Sequence, residues 1–164
     1  MTVVSINKDV EALTMTFVAE FDAGVERVWL LWKDPRQLER WWGPPTWPAT
    51  FERHDFTAGG RSAYYMTGPD GEKARGWWQI TAIDEPSRFE FDDGFSDDNG
   101  EPDSATGIVS AVVSFDPLGG RTRMTSVSSI TSVEQLEQLV QMGMEEGMRE
   151  AMGQMDAILA EVPV

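Results

Sequence analysis

Side chains able to do chemistry are scarce in this sequence, and their settings argue against most reactions. His54 is the only histidine, in Arg53-His54-Asp55. An imidazole beside a carboxylate is the usual general-base pairing. The residues around it, however, alternate as in a strand, where Asp55 points to the opposite face. There is no Cys, which removes thiol nucleophiles, thiolate metal sites and disulfides. No Gly-x-Ser-x-Gly elbow marks a serine nucleophile. The expectation is no catalytic residue, and binding rather than turnover.

The acidic run from Asp92 to Glu101 invites a calcium reading. With Gly100 at the sixth loop position, Phe95 falls at the first and Thr106 at the twelfth, so the EF-hand pattern fails at both ends. Asp93 to Ala105 therefore reads as a solvated acidic loop, and neither a metal nor another cofactor is expected. Gly59-Gly60-Arg61 and Gly119-Gly120-Arg121 lead into no helix, so they read as hairpin turns rather than phosphate loops.

What remains is aromatic, sulfur-rich and small. In the stretch Ala74 to Ile83, the residues Ala74, Gly76, Trp78, Ile80 and Ala82 share one apolar face. From Thr131 to Val162, apolar residues fall at Val133, Leu136, Val140, Met144, Met148, Ala151, Met155, Ile158 and Val162, the stripe of one α-helix. Gly143, Gly147 and Gly153 interrupt it, each at ~1 kcal/mol relative to Ala, and Met142, Met144, Met148, Met152 and Met155 lie along it. Small residues leave room, and methionine is a flexible, polarizable lining. Together they predict an adaptable apolar pocket lined by Trp42, Tyr65, Trp78, Ile80, Gly143, Met144, Gly147 and Met148. A tight helix–sheet contact padded by Met accounts for the same residues and stays open.

The elements that must position this wall follow from periodicity. Leu13 to Phe21 alternates as a half-buried strand. Asp22 is a candidate cap for a helix from Val25 to Lys33, and Asp34-Pro35 with Gln37 starts a second, stopped by Trp42-Gly43-Pro44-Pro45. Ala49–Phe56, Arg61–Met66, Ala74–Ile83, Arg88–Asp92, Gly107–Phe115 and Arg121–Ile130 read as six further strands, divided by Gly, Pro and Asp turns. Ser132 and Gln135 form a capping box ahead of the long helix. Strands grouped together and helices set apart mean an α+β domain, expected as one unit over 1–164 with its core at about 13–160.

The chain has 164 residues, 41% hydrophobic with seven Trp, enough for a real core. No apolar run approaches a membrane span, and the first ten residues lack an apolar signal core, so the expected compartment is cytoplasmic. A net charge of -15 repels phosphate backbones and anionic membranes, so neither nucleic acid nor membrane is an expected partner.

The order of elements resembles the helix-grip, START-like fold of the SRPBCC superfamily, in the branch named for the activator of Hsp90 ATPase homologue. The residues that carry the resemblance are Phe21-Asp22-Ala23, Val28-Trp29, Asp34-Pro35, Trp41-Trp42-Gly43-Pro44, Gly59-Gly60-Arg61, Gly68-Pro69-Asp70-Gly71 and Gly119-Gly120-Arg121. It implies a seven-stranded curved antiparallel sheet around a long C-terminal helix, with two short helices after the first strand. It also implies a cavity between sheet and helix that holds a small apolar or aromatic ligand. Two other functions stay open on the same resemblance: a chaperone-interacting protein, and a cyclase or hydratase using that cavity. A homodimer also stays open. Relatives often carry Gly-Trp where this chain has Gly147-Met148, so its cavity wall is expected to differ from theirs.

Overall fold

The computed structural model describes residues 3–97, 101, 108–141 and 143–161. Its elements are β1 (Val3–Asp9), β2 (Thr14–Phe21), α1 (Val25–Lys33), α2 (Pro35–Trp41), β3 (Ala49–His54), β4 (Arg61–Thr67), β5 (Lys73–Asp84) and β6 (Arg88–Phe95). Then come β7 (Val109–Leu118), β8 (Arg121–Ser129), α3 (Val133–Gln141) and α4 (Met144–Leu159). The strands form one curved antiparallel sheet in the order β1-β2-β8-β7-β6-β5-β4-β3. This is the α+β helix-grip architecture, with eight strands among the described residues rather than seven. The additional strand is β1, an edge strand that is exposed along most of its length and is held by pairing to β2. From Ser5 to Asp9 only Ile6 packs partly against the core, which leaves little alternation to read.

Strand β2 follows its sequence pattern: Met15, Phe17, Ala19 and Phe21 are buried while their neighbours are half-exposed. Gly119 and Gly120 both have positive φ, 56° and 91°. They close the β7–β8 hairpin in two residues, with Leu118 opposite Arg121, as a primed turn requires. In β5 the register shifts between Ile80 and Ala82. The bulge turns Ile83, not Ala82, onto the core.

The ends of α1 depart from expectation in an instructive way. Asp22 does not cap it; Gly24 stands at the cap with no side-chain bond, and Asp22 instead pairs with Arg121 at 2.6 Å. At the other end, the last carbonyls of a helix lack intrahelical donors. Here Trp41 Nε1 donates to the Leu31 carbonyl at 2.8 Å, and His54 Nε2 meets the Trp32 carbonyl at 2.7 Å. Asp34 does cap α2, accepting from the Arg36 backbone N–H and the Gln37 side-chain amide, each at 3.0 Å.

The expected single C-terminal helix is two. Gly143 has φ 83° and ends α3, its N–H donating to the Val140 carbonyl at 3.0 Å; it then serves as the N-cap of α4. A glycine at the left-handed position is the common way to end a helix, and here α4 restarts on its far side. Ser132 Oγ accepts from Gln135 N at 3.1 Å at the start of α3, as the capping box predicted. Ala151, Met152, Met155 and Ile158 bury the inner face of α4, and Gln154 Nε2 donates to the Gly43 carbonyl at 2.7 Å, tying α4 to the end of α2. Val133, first in the expected stripe, is exposed. Met142 and Val162 lie outside the described residues, as do the side chain of Met144 and the acidic stretch beyond Asp97 other than Glu101.

Candidate functional site

Beneath the break between α3 and α4 lies a cavity of about 250 Å³. The sheet contributes Tyr64 and Met66 from β4, Asp93 and Phe95 from β6, and Val109 from β7. The helical side contributes Trp42, Gln135, Leu139, Gly143, Gly147 and Met148. A Cβ added at Gly143 or Gly147 would meet no atom within 4 Å. Gly147 is half-buried, so its missing side chain leaves space in the cavity wall, whereas Gly143 is exposed; neither glycine makes the tight contact. Gly153 also has open space around it but is exposed, facing away from the core.

Of the residues named from sequence, Trp42, Gly143, Gly147 and Met148 come together around this cavity. Trp78 and Ile80 face the same way but lie deeper, fully buried. The Trp78 ring is covered by Trp42 at 4.8 Å and Phe91 at 4.4 Å between centroids, so both residues belong to the aromatic core under the cavity. Tyr65 is on the other face of the sheet, where Lys73 Nζ sits 4.4 Å from its ring centre. Strand parity excludes it: Tyr64, its neighbour, pairs with Gly76 and turns inward.

Several lining residues were not named from the sequence; the two polar ones on the sheet, Tyr64 and Asp93, act together. β6 does not stop at Asp92 but runs to Phe95. Its inward positions are Phe89, Phe91 and then Asp93, which is opposite Trp78 on β5 and Val109 on β7. The alternation Phe89-x-Phe91-x-Asp93-x-Phe95 was the available signal, hidden by reading the acidic run as one loop. Burial pushes the Asp93 carboxyl from 3.8 up to about 7, while hydrogen bonding from Tyr64 and the Gly94 backbone pulls it back down. The Tyr64 phenol is raised well above its ordinary value, first by burial and then by the Asp93 charge.

Gly76 places that phenol. A Cβ at Gly76 would lie 2.4 Å from Tyr64 Cζ and from its hydroxyl oxygen, so only glycine lets the ring lie across β5. Trp42 Nε1 leans toward the Tyr64 hydroxyl without completing a hydrogen bond.

His54 is not part of this cavity. Its Nδ1 meets Ser62 Oγ at 2.7 Å while Nε2 is held by the Trp32 carbonyl. A carbonyl only accepts, so Nε2 carries the proton and Nδ1 accepts from the serine. Burial lowers the His54 pKa, keeping the ring neutral as a strut between β3, β4 and α1. Among the described residues no three His, Asp or Glu side chains gather as a metal centre. No helix among them is long and apolar enough to cross a membrane.

The family model for the activator of Hsp90 ATPase homolog 1-like protein matches residues 22–160. The chain belongs to that family. A protein of Arthrobacter aurescens, solved by NMR, is 63% identical, with 98% of this chain and 94% of that one covered and a TM-score of 0.94. A crystal structure from Mycobacterium smegmatis is 46% identical over 99% of both chains, with a TM-score of 0.90. A family protein of Silicibacter pomeroyi, at 21% identity over 90% of this chain and 97% of that one, has a TM-score of 0.73 and shares the fold. No curated protein matches the chain. Family membership accounts for the helix-grip sheet, whereas function must be read from the site.

Proposed function

We propose that this protein binds a small, largely apolar molecule in the cavity between its sheet and its broken C-terminal helix. The observation that carries this reading is the open space at half-buried Gly147, in a cavity walled by Trp42, Met66, Leu139 and Met148. An apolar cavity of about 150 Å³ is enough to hold benzene, so about 250 Å³ suits a molecule of one or two rings. A ligand burying ~200 Å² of apolar surface gains ~5 kcal/mol at ~25 cal/mol per Å². Taken whole, that gain corresponds to a dissociation constant of ~0.2 mM, so after the costs of association weak binding in the millimolar range is expected.

The test is a fluorescence titration with N-phenyl-1-naphthylamine, a neutral dye that brightens in apolar surroundings, together with native mass spectrometry of the protein as purified. Saturable dye binding, displaced by one- and two-ring aromatics, is expected. Absence of both dye enhancement and a co-purified molecule overturns the reading.

A further inference from the structure

We infer that the cavity is built for a cation: a ligand with an amine head seated against Asp93 and Tyr64, and an apolar or aromatic body lying between Trp42 and Met148. This rests on the binding reading above and names the chemical class of the ligand.

The argument starts from an imbalance. Among the described residues that line the cavity, Asp93 is the one charged residue, and no Lys, Arg or His joins it there. Carboxylates drawn away from water are ordinarily paired with a cation or fully hydrogen-bonded, and Asp93 is half-buried in the cavity wall. Asp93 has Tyr64 and the Gly94 backbone but no basic partner from this chain among the described residues. A ligand can bring the missing charge. An ammonium group offers the donors that a carboxylate accepts, and its strength there is that of a charge-assisted bond. The surrounding rings of Trp42, Tyr64 and Phe95 attract a cation through their π faces. An anionic ligand would be repelled by the ionised carboxylate, and a neutral one would leave that carboxylate without a counter-charge. The net charge of -15 draws cations toward the molecule as a whole.

The groups around Asp93 make its ionisation a clean readout. Across the sheet it faces Trp78 of β5 and Val109 of β7, neither of which titrates. The helices present Gln135, Leu139, Gly147 and Met148, also without titratable groups. On its own strand, Asp92 is bound to Ser110 Oγ at 2.7 Å. Among the described residues only Tyr64 titrates beside it, far above neutrality. With its carboxyl at about 7, Asp93 is ionised at about pH 8.5 and protonated at about pH 5.5. A simple alkylamine, like lysine near ~10.4, stays charged throughout.

The experiment compares 2-phenylethylamine, 2-phenylethanol and phenylacetate as competitors of the neutral dye, on the wild-type protein and on Asp93→Asn. At about pH 8.5 the amine is expected to bind about tenfold or more tightly than the alcohol, with phenylacetate weakest. That advantage should collapse at about pH 5.5, and Asp93→Asn should erase it, amine and alcohol then binding alike. Amine binding near neutrality should also release protons, read by calorimetry in two buffers, whereas alcohol binding should not. If the alcohol binds as well as the amine at the higher pH, the amine inference fails and the apolar cavity stands. If the amine's advantage survives in Asp93→Asn, it belongs to the surface charge and the inference fails equally. If neither alcohol, amine nor dye binds, the binding reading itself falls. Should Asp93→Asn not fold, the wild-type pH profile and proton release decide alone.

Discussion

Gly147→Leu separates a cavity from a packed contact. Gly147 sits in α4, half-buried, and a Cβ there would have nothing within 4 Å. Replacing Gly by Leu in a helix interior gains ~0.8 kcal/mol from backbone propensity alone. Fully burying a Leu side chain is worth ~1.5–3 kcal/mol; at a half-buried position beside a partly open cavity, about half of that applies. The variant should therefore be more stable by ~1.5–2 kcal/mol, a rise of about 0.5–1 M in the urea midpoint. Gly153→Leu is the matched control, because Gly153 lies in the same helix, has equally open space and faces solvent. It should show the propensity gain without the burial. In Gly147→Leu the new side chain also occupies cavity volume. If it excludes ~100 Å² of ligand contact, dye affinity falls by ~2.5 kcal/mol, more than tenfold, while the control binds as wild type. A destabilisation of ~1–3 kcal/mol, the mark of overpacking, would refute the reasoning, as would undiminished dye binding.

Three further outcomes follow from the buried polar groups. Asp93 holds its proton from an ordinary 3.8 up to about 7, so the folded state binds more protons than the unfolded one in that window and stability falls as pH rises through it. Asp93→Asn lacks this slope. Its stability relative to wild type should rise between about pH 4 and pH 7 by at most ~4 kcal/mol, and by ~2 kcal/mol once partial solvation of Asp93 is allowed for; urea melts across pH measure it, and a flat difference counts against a buried Asp93. His54 has the opposite sign: its folded pKa is lowered, so its contribution is present above about 6.5 and is lost as pH falls through its folded value. His54→Ala should cost ~2–3 kcal/mol at neutral pH, by leaving the Trp32 carbonyl and Ser62 without partners, and should flatten the acid limb of the stability profile. Gly76→Ala drives a methyl into the Tyr64 phenol; a thermal melt should show a loss of ~1–3 kcal/mol, with the dye's affinity reduced as Tyr64 shifts.

The parts of this protein that depend on neighbours in the chain were legible in the sequence. The alternation of Met15, Phe17, Ala19 and Phe21, the caps at Asp34 and Ser132, and the Gly119-Gly120 turn are local matters of backbone geometry and side-chain period, and each element follows. The apolar stripe with its glycines likewise pointed to space beneath the C-terminal helix. Gly143 marks the limit of local reading. A glycine in a helical pattern either stays helical at ~1 kcal/mol or flips to positive φ and ends the helix. Which of the two wins depends on how α3 and α4 seat on the rest of the molecule.

The site itself was decided by register. Whether Tyr64 or Tyr65 faces the cavity depends on pairing with Gly76 across a hairpin. Whether Asp93 is a solvated loop residue or an acid facing the cavity depends on β6 continuing between β5 and β7. The alternation of β5 puts Trp78 on the correct face, yet Trp42, from the end of α2 and far earlier in the chain, covers it. Strand alternation already separated His54 from Asp55, but only the folded chain shows its two nitrogens held by Ser62 and the end of α1. Periodicity assigns a residue to a face. A shift of one residue in pairing exchanges the two faces of a strand, and the long-range contacts that choose the register exist only once the sheet has closed around its helices.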